Sequence, residues 1–370
     1  MTVAEEILDL ARWAPSGDNS QPWRFAIRSE REIDVFGYDT RAHCVYDLDG
    51  WASQVAHGML LETIAIATSQ HGRRAIIDVP GAMDASPLVY RVTLDSDPGV
   101  AQDPLAEVVK TRTVQRRPMR LRALTAVERT LLEQAARPLR IAWFESWSAK
   151  RRIAALCARN ARIRLTIPEA YAVHRSVIQW HATTSEDRMP DASLGADALL
   201  LSLMRFGMTS WQRLDRLNRL TGTLVPRLAL DYVPGMLCSA QLALIAELAP
   251  TSLADRIAAG RAVQRVWLTA TSLGLQMQPE YTPLIFARYA REGRPFTKVA
   301  RARVEAADIA RDLSTAVGKD SAERVVWLSR IGPQRAASGR SLRLPLARLV
   351  VSDPPPTLPP LAVLPGNASA

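Results

Sequence analysis

Cysteine is nearly absent from this chain of 370 residues: there are three, Cys44, Cys157 and Cys238. An odd number at wide spacing gives neither a disulfide framework nor a CxxC metal site. Long apolar runs are missing too. No stretch approaches the 18 or so uninterrupted apolar residues that a membrane helix needs, which argues against a spanning segment. The sequence also lacks a GxGxxG after a strand pattern, a GxxxxGK[ST] loop and a GxSxG elbow, so the commonest dinucleotide, nucleotide and hydrolase signatures are excluded. The first residues, MTVAEEILDLARWAPS, are acidic and amphipathic, with neither a basic n-region nor an apolar h-region. The expectation is a cytoplasmic, reduced protein.

Lysine is scarce as well. Of 47 basic residues only Lys110, Lys150, Lys298 and Lys319 are lysines, so 43 (47 − 4) are arginines; with 37 acids the net charge is +10. A basic balance suits a nucleic-acid binder. No finger spacing, RNP-type aromatic run or basic-region heptad accompanies it, and the arginine skew reads as high-GC codon bias. Nucleic acid is not expected as a partner.

What is present begins with an internal repeat, the feature to seek first. HGMLLETIAIATSQHG (57–72) matches AGRAVQRVWLTATSLG (259–274) at a shift of 202, with Gly58 on Gly260, Ile64 on Val266 and Gly72 on Gly274. Both read as helices closed by a glycine C-cap. Their apolar positions face most directions, which predicts a buried central pair. A weaker match joins the helix from Ala4 to the one from Ala126 at a shift of 124. The difference, 202 − 124 or 78 residues, predicts an insertion in the second copy, placed at about 155–230, of the kind that forms lids or binding loops. Strand candidates are 24–29, 32–38, 88–95, 141–146, 241–248 and 325–332. The fold class is α+β, with sheets between helices. Three regions follow: 1–109, 110–351 with the lid-like insert, and a Pro-rich tail at 352–370 read as disordered or extended.

The sharpest motif is APSGDNSQPWRF (14–25), a helix end, a turn of small residues and a strand. Ser16, Gly17, Asp18 and Asn19 present backbone N–H groups and let a flat ring approach closely, Ser and Asn can bond polar ring edges, and Gln21-Pro22-Trp23 fixes the turn. A second motif, KTRTVQRRPMRLR (110–122), has six basic residues and no acid. Arginine forks in such number suit a phosphate dianion. Near the end, IGPQRAASGRSLRLPL adds Arg335, Arg340 and Arg343. His174 and His181 are seven apart on an expected helix of the insert, hence on one face; without a third ligand at metal spacing they predict no metal site. Neither Cys44 nor Cys238 has a motif around it that suggests a nucleophile.

The first motif resembles the APSxxNxQPW signature of the FMN-dependent nitroreductase family, and the second resembles the R-x-S/T-x-R segment that binds FMN in the same family. Carried over, Arg112, Thr113 and Arg116 take the places that hold the FMN phosphate and pyrimidine edge, with Arg116 one residue beyond the family's spacing. The resemblance implies a nitroreductase-like fold in which Pro15, Ser16, Gly17, Asn19 and Gln21 line the flavin, and Arg340 and Arg343 reach back to its phosphate. In the family two identical subunits share each site. Here each copy keeps the part that the other lacks, a layout similar to the single-chain, tandem Acg-type branch. That implies a monomer acting as a pseudo-dimer with one complete flavin site. The implied activity is hydride transfer from NADH or NADPH through FMN to a small organic acceptor, with no side chain required as a catalytic acid or base. His174, Trp180, His181 and Trp211 of the insert are the candidate substrate contacts. The alternatives implied are a flavin-sequestering protein without turnover, or a biosynthetic partner of a ThiF/E1-like enzyme.

Overall fold

Two helices of unusual composition hold the centre, and the rest of the chain is laid out around them. The computed structural model describes residues 1–83 and 85–358. The chain runs through α1 (Val3–Ala11), β1 (Trp23–Ile27), β2 (Glu32–Gly37), α2 (Trp51–Ser69), β3 (Arg73–Asp78) and β4 (Leu88–Ser96). It continues with α3 (Ala126–Ala136) and β5 (Arg140–Phe144). An excursion then carries α4 (Trp147–Thr166), α5 (Pro168–Val177), the two-residue strands β6 (Ile178–Gln179), β7 (Thr184–Ser185) and β8 (Met189–Pro190), α6 (Ala198–Gly207), α7 (Trp211–Thr221) and the single turns α8 (Leu224–Arg227) and α9 (Val233–Met236). After it come β9 (Ala240–Ile245), α10 (Leu253–Ser272), β10 (Leu275–Pro279), α11 (Thr282–Arg291), α12 (Ala300–Val317), β11 (Val325–Pro333), β12 (Arg340–Ser341) and α13 (Leu346–Leu349).

The two main sheets are antiparallel and ordered alike. One runs β1-β2-β4-β3 and the other β5-β9-β11-β10, so each strand of the first has a counterpart at the same place in the second. Helices α1 and α3 also start alike, each with a Thr-x-x-Glu capping box (Thr2 with Glu5, Thr125 with Glu128) that satisfies free N–H groups of the first turn. The six strands expected from the sequence are all present. Edge strands β3 and β10 are additions to that reading. The insertion expected at about 155–230 corresponds to one longer excursion, 145–239, between β5 and β9; a second excursion at 280–324, which carries α11 and α12 after α10, was not expected.

Helices α2 and α10 cross at Gly58 and Gly260. A Cβ on either would lie 2.9 Å from the other's Cα and would strike a carbonyl, Ile257 O for Gly58 and Val55 O for Gly260. Shifting by 202 exchanges these two contacts, because Val55 maps to Ile257 and Gly58 to Gly260. Close approach without a side chain in the way is the reason for glycine here. The crossing interlocks the cores. Val55 and Met59 of α2 pack into the core of the second sheet, while Leu253 and Ile257 of α10 pack into that of the first. Leu344 and Leu349, near the chain's end, also belong to the first sheet's core. A third core, built on Phe144, Ile153, Ile167, Phe286 and Ile309, fixes the excursions to the second sheet.

The start of the Pro-rich tail is extended. Val351 N donates to Phe25 O (2.8 Å) and the Tyr38 hydroxyl donates to Pro355 O (2.7 Å), so the segment lies along the free edge of β1. Positions 359–370 of the expected tail lie outside the described residues. Among the described residues no helix is long and apolar enough to cross a membrane.

Candidate functional site

The turn after α1 is built under strain. Asp18, Asn19 and Gln21 all have positive φ (52°, 61° and 45°), a left-handed region that Asn and Asp tolerate better than other side chains. Ser16 Oγ accepts from Gln21 N at 2.9 Å and ties the loop shut. Left-handed non-glycine residues in such density are a functional pointer. Pro15 is buried beneath the turn, whereas Gly17 is exposed with open space on its Cβ side.

Residues 112–116 reach this turn from the second half. Gln115 N donates to Met277 O (3.1 Å), and Val114 forms a parallel bridge with Met277, so the segment is extended beside β10. Residues four apart on an extended chain project to one side, about 13 Å apart. Arg112 therefore meets the turn at Trp13 and Arg116 meets it near Asp18.

Arg112, 5% exposed, donates through Nη2 to Trp13 O (3.1 Å) and stacks 4.5 Å over the Trp267 ring. Its buried Nε has no partner among the described residues. Arg343, 8% exposed, donates to Ala14 O (3.0 Å), Asn19 Oδ1 (2.9 Å) and Leu342 O (2.7 Å). Arg340 lies 4.9 Å over the Trp13 ring and donates to Lys110 O. Every acceptor in this group is a neutral oxygen. Burial, and then the neighbouring Arg340, push Arg112 down to about 9. Arg343 falls well below the ordinary arginine value through burial first, then Arg112, Arg340 and Arg12. Three guanidinium charges thus converge with no carboxylate paired to them among the described residues. Buried charge in that state calls for an anion.

Beside the arginines, polar side chains of the turn and of the excursion come together. Asp18 is half-buried, and its carboxyl is raised by enclosure while Arg116 and Arg164 pull the other way. Tyr46 Oη and His174 Nε2 share a hydrogen bond of 3.1 Å. Burial, then the Arg164 charge, hold His174 at about 3, so its imidazole is neutral near pH 7. The same burial keeps the Tyr46 hydroxyl protonated. Arg164 is anchored by Asp231 (2.6 Å) and leaves Nε unpartnered. Cys44 is pushed up to about 12 by burial and then by Asp18, which makes it inert as a nucleophile at neutral pH.

A strap from the excursion, residues 183–193, lies across the turn. Asn19 Nδ2 donates to Glu186 O (3.1 Å) and Arg188 O (3.2 Å), and Gln21 Nε2 donates to Glu186 O (2.8 Å). Gln21 Oε1 also accepts from Leu344 N (2.9 Å). Strand β7 pairs in parallel with β12, and Ser341 Oγ donates to Arg188 O (3.1 Å). Arg116 is held by the same strap, at Ser193 O (3.0 Å) and Met189 Sδ (3.2 Å), and burial takes it down to about 10. Asn19 and Gln21, expected beside a ring edge, thus spend their amides on this strap and on the chain's closing residues. Thr113 Oγ1 bonds Gln276 Oε1 at 3.3 Å.

The insert's candidates separate. His174 is turned to Tyr46, but α5 ends at Val177, so His174 and His181 do not share a helix face as expected. His181 is exposed beyond that end, at φ 57°, with its ring bonded to Arg205 (2.7 Å). Trp180 packs against the excursion core, and Trp211 packs on Tyr171 with ring centres 5.7 Å apart. Trp13, Tyr46, Arg164 and Trp267 were not singled out from the sequence. Only Trp13, adjoining the APSGDNSQPW motif, carried a signal. Among the described residues no group of three or more His, Cys, Asp or Glu is placed to hold a metal ion.

No family model matches the sequence, and no curated protein matches it. Among solved structures, a nitroreductase with bound FMN from Bacteroides fragilis NCTC 9343 is similar over 63% of this chain and 89% of its own, at 12% identity and a TM-score of 0.29. A likeness of that degree carries no argument about fold or function.

Proposed function

We propose that this protein is an FMN-dependent oxidoreductase of the nitroreductase type, with two related halves, 1–109 and 110–351, fused into one chain. Its single flavin site would lie where segment 112–116, the turn 13–19 and the closing residues 340–343 meet. The observation that carries this reading is the convergence of Arg112, Arg340 and Arg343 without a counter-ion. The group fits there: a phosphate monoester brings the missing negative charge and an acceptor for the orphaned Arg112 Nε. Ser16 and Gly17 are the part of the turn left open toward a ring. When bound, FMN would supply hydride transfer between NAD(P)H and an organic acceptor. The neutral His174 and the protonated Tyr46 hydroxyl would supply hydrogen-bonding groups for that acceptor, and no side chain is assigned as acid or base. Because one chain contributes both walls, the reading expects a monomer.

One observation favours a second reading. The strap at 183–193 is hydrogen-bonded across the turn at several points, as a closed cover over a sequestered flavin would be. The visible spectrum of the purified protein, with heat-released flavin counted per chain and NADPH added anaerobically, separates the two. One FMN that bleaches supports the oxidoreductase, whereas one that stays oxidised selects sequestration. A protein that takes up no FMN refutes the site.

A further inference from the structure

A second cavity, of about 260 Å³, opens at the N-terminal end of α4 and shares no lining residue with the arginine cluster. Arg122, Arg129, Glu145, Lys150 and Ser239 form its polar wall, and Leu121, Ala123 and the Trp147 ring its apolar one. Lys150 is the anomaly. It is 6% exposed, and among the described residues its ammonium donates only to Cys238 O (3.1 Å) while lying 4.8 Å from the centre of the Trp147 ring. An ammonium has three donors, so two remain unspent. No carboxylate pairs with it among the described residues.

Its position adds to the conflict. Lys150 is the fourth residue of α4, whose N-terminal end carries the positive pole of the helix dipole. A cation is disfavoured there unless an anion accompanies it. Ser239, also 6% exposed, presents an Oγ with no partner. The neighbouring charges cancel in pairs, Arg122 with Glu128 (2.7 Å) and Arg129 with Glu145 (2.8 Å). Glu145 keeps Oε1 unpartnered and would repel a second negative group. The balance left over is one positive charge.

We propose that this cavity is a binding site for a small organic monocarboxylate, with its carboxylate on the Lys150 ammonium and the α4 N-terminus. A flat apolar body would lie against Trp147, Leu121 and Ala123. The volume is below the range of about 300–1,000 Å³ usual for drug-sized ligands, which limits the occupant to a compact acid.

Benzoate is the probe, and the thermal melt of the full chain is the readout. Benzoate should raise the melting temperature with a saturable dose dependence, while sodium chloride at equal ionic strength and neutral benzyl alcohol should not. Lys150→Met should fold with an unchanged or higher melting temperature and bind benzoate at least about ten-fold more weakly, the loss expected for one charge-assisted contact. Trp147→Ala, at a side chain 57% exposed, should fold normally and also weaken the response. Arg112→Met should retain it, which separates this cavity from the flavin site. An absent benzoate effect, an equal effect of benzyl alcohol, or a full response in both Lys150→Met and Trp147→Ala overturns the proposal.

Discussion

Replacing Arg112 by methionine should have opposite effects on the apoprotein and on flavin binding. Holding a buried guanidinium at about 9, against its usual 12.5 or more, disfavours the charged form by roughly 5 kcal/mol at about 1.4 kcal/mol per pH unit. Methionine removes that penalty. It also gives up a charged hydrogen bond to Trp13 O, about 1.5–3 kcal/mol, and a desolvated cation–π stack on Trp267, about 2 kcal/mol. Sulfur–aromatic contact returns about 1 kcal/mol of the stack. The terms leave the apoprotein more stable by about 1–2.5 kcal/mol, or a rise of roughly 1–3 °C for a chain of this length. In excess FMN the order should reverse. Wild type should gain stability from binding, and the variant should bind about 10–150-fold more weakly, the equivalent of one charge-assisted contact. Differential scanning fluorimetry with and without FMN, paired with a count of heat-released flavin, reads both. An apo variant that melts several degrees lower, or one that takes up FMN as wild type does, would refute the reasoning.

Three further outcomes follow from the geometry. Gly58→Ala should lower the melting temperature even though alanine is the better helix former by about 1 kcal/mol, because its Cβ meets backbone of α10 that cannot rotate away; a neutral or stabilising result would contradict the crossing. Glu128 is held at about 2 by its hydrogen bonds to Arg122 and then by those to Thr125. Its depressed value means stability present above about 4.3 and lost as pH falls toward 2, so Glu128→Gln should melt lower than wild type at pH 7, by about 1 kcal/mol after screening, and level with it near pH 2. His57, whose Nε2 donates to Pro22 O while the Tyr90 hydroxyl donates to Nδ1, is held at about 4 by burial. A lowered histidine contributes stability above about 6.5 that is lost between there and 4, so His57→Gln should flatten the dependence of melting temperature on pH in that window.

The match at a shift of 202 picked out Gly58 and Gly260 because these two residues meet at a crossing of backbones that leaves no room for a Cβ. Central strands were legible because β9 is apolar at all but Gln241 and β11 opens with the apolar run Val325–Leu328, as strands covered on both faces require. Edge strand β3 was not, because an arginine, Arg73, shares the half-buried face of Ala75 and Ile77 while Ile76 is exposed, which breaks the apolar-polar alternation. The excursion's limits escaped for want of any composition change at 145, where a solvated helix start follows directly on a strand. In the site, the motif around Asn19 and Gln21 specifies amides on a strained turn, but an amide bonds any carbonyl brought to it. Which carbonyl that is depends on residues 186–188, set by the packing of a segment some 165 positions away. His174 found its partner the same way. Tyr46 is 128 residues distant, and nothing local links the two.

The interlocking of the cores has a consequence for how this chain can be cut. A fragment of residues 1–109 would lack Leu253, Ile257, Leu344 and Leu349, which fill its own interior. It would also expose the bare Gly58 face of α2. The remainder, from 110 onward, would lose Val55 and Met59 in turn. Neither piece is therefore a free-standing module, in spite of the matching strand orders. The two sheets share one strand order but depend on each other's helices for their cores, and expression of either piece alone should yield insoluble protein unless the other is supplied with it.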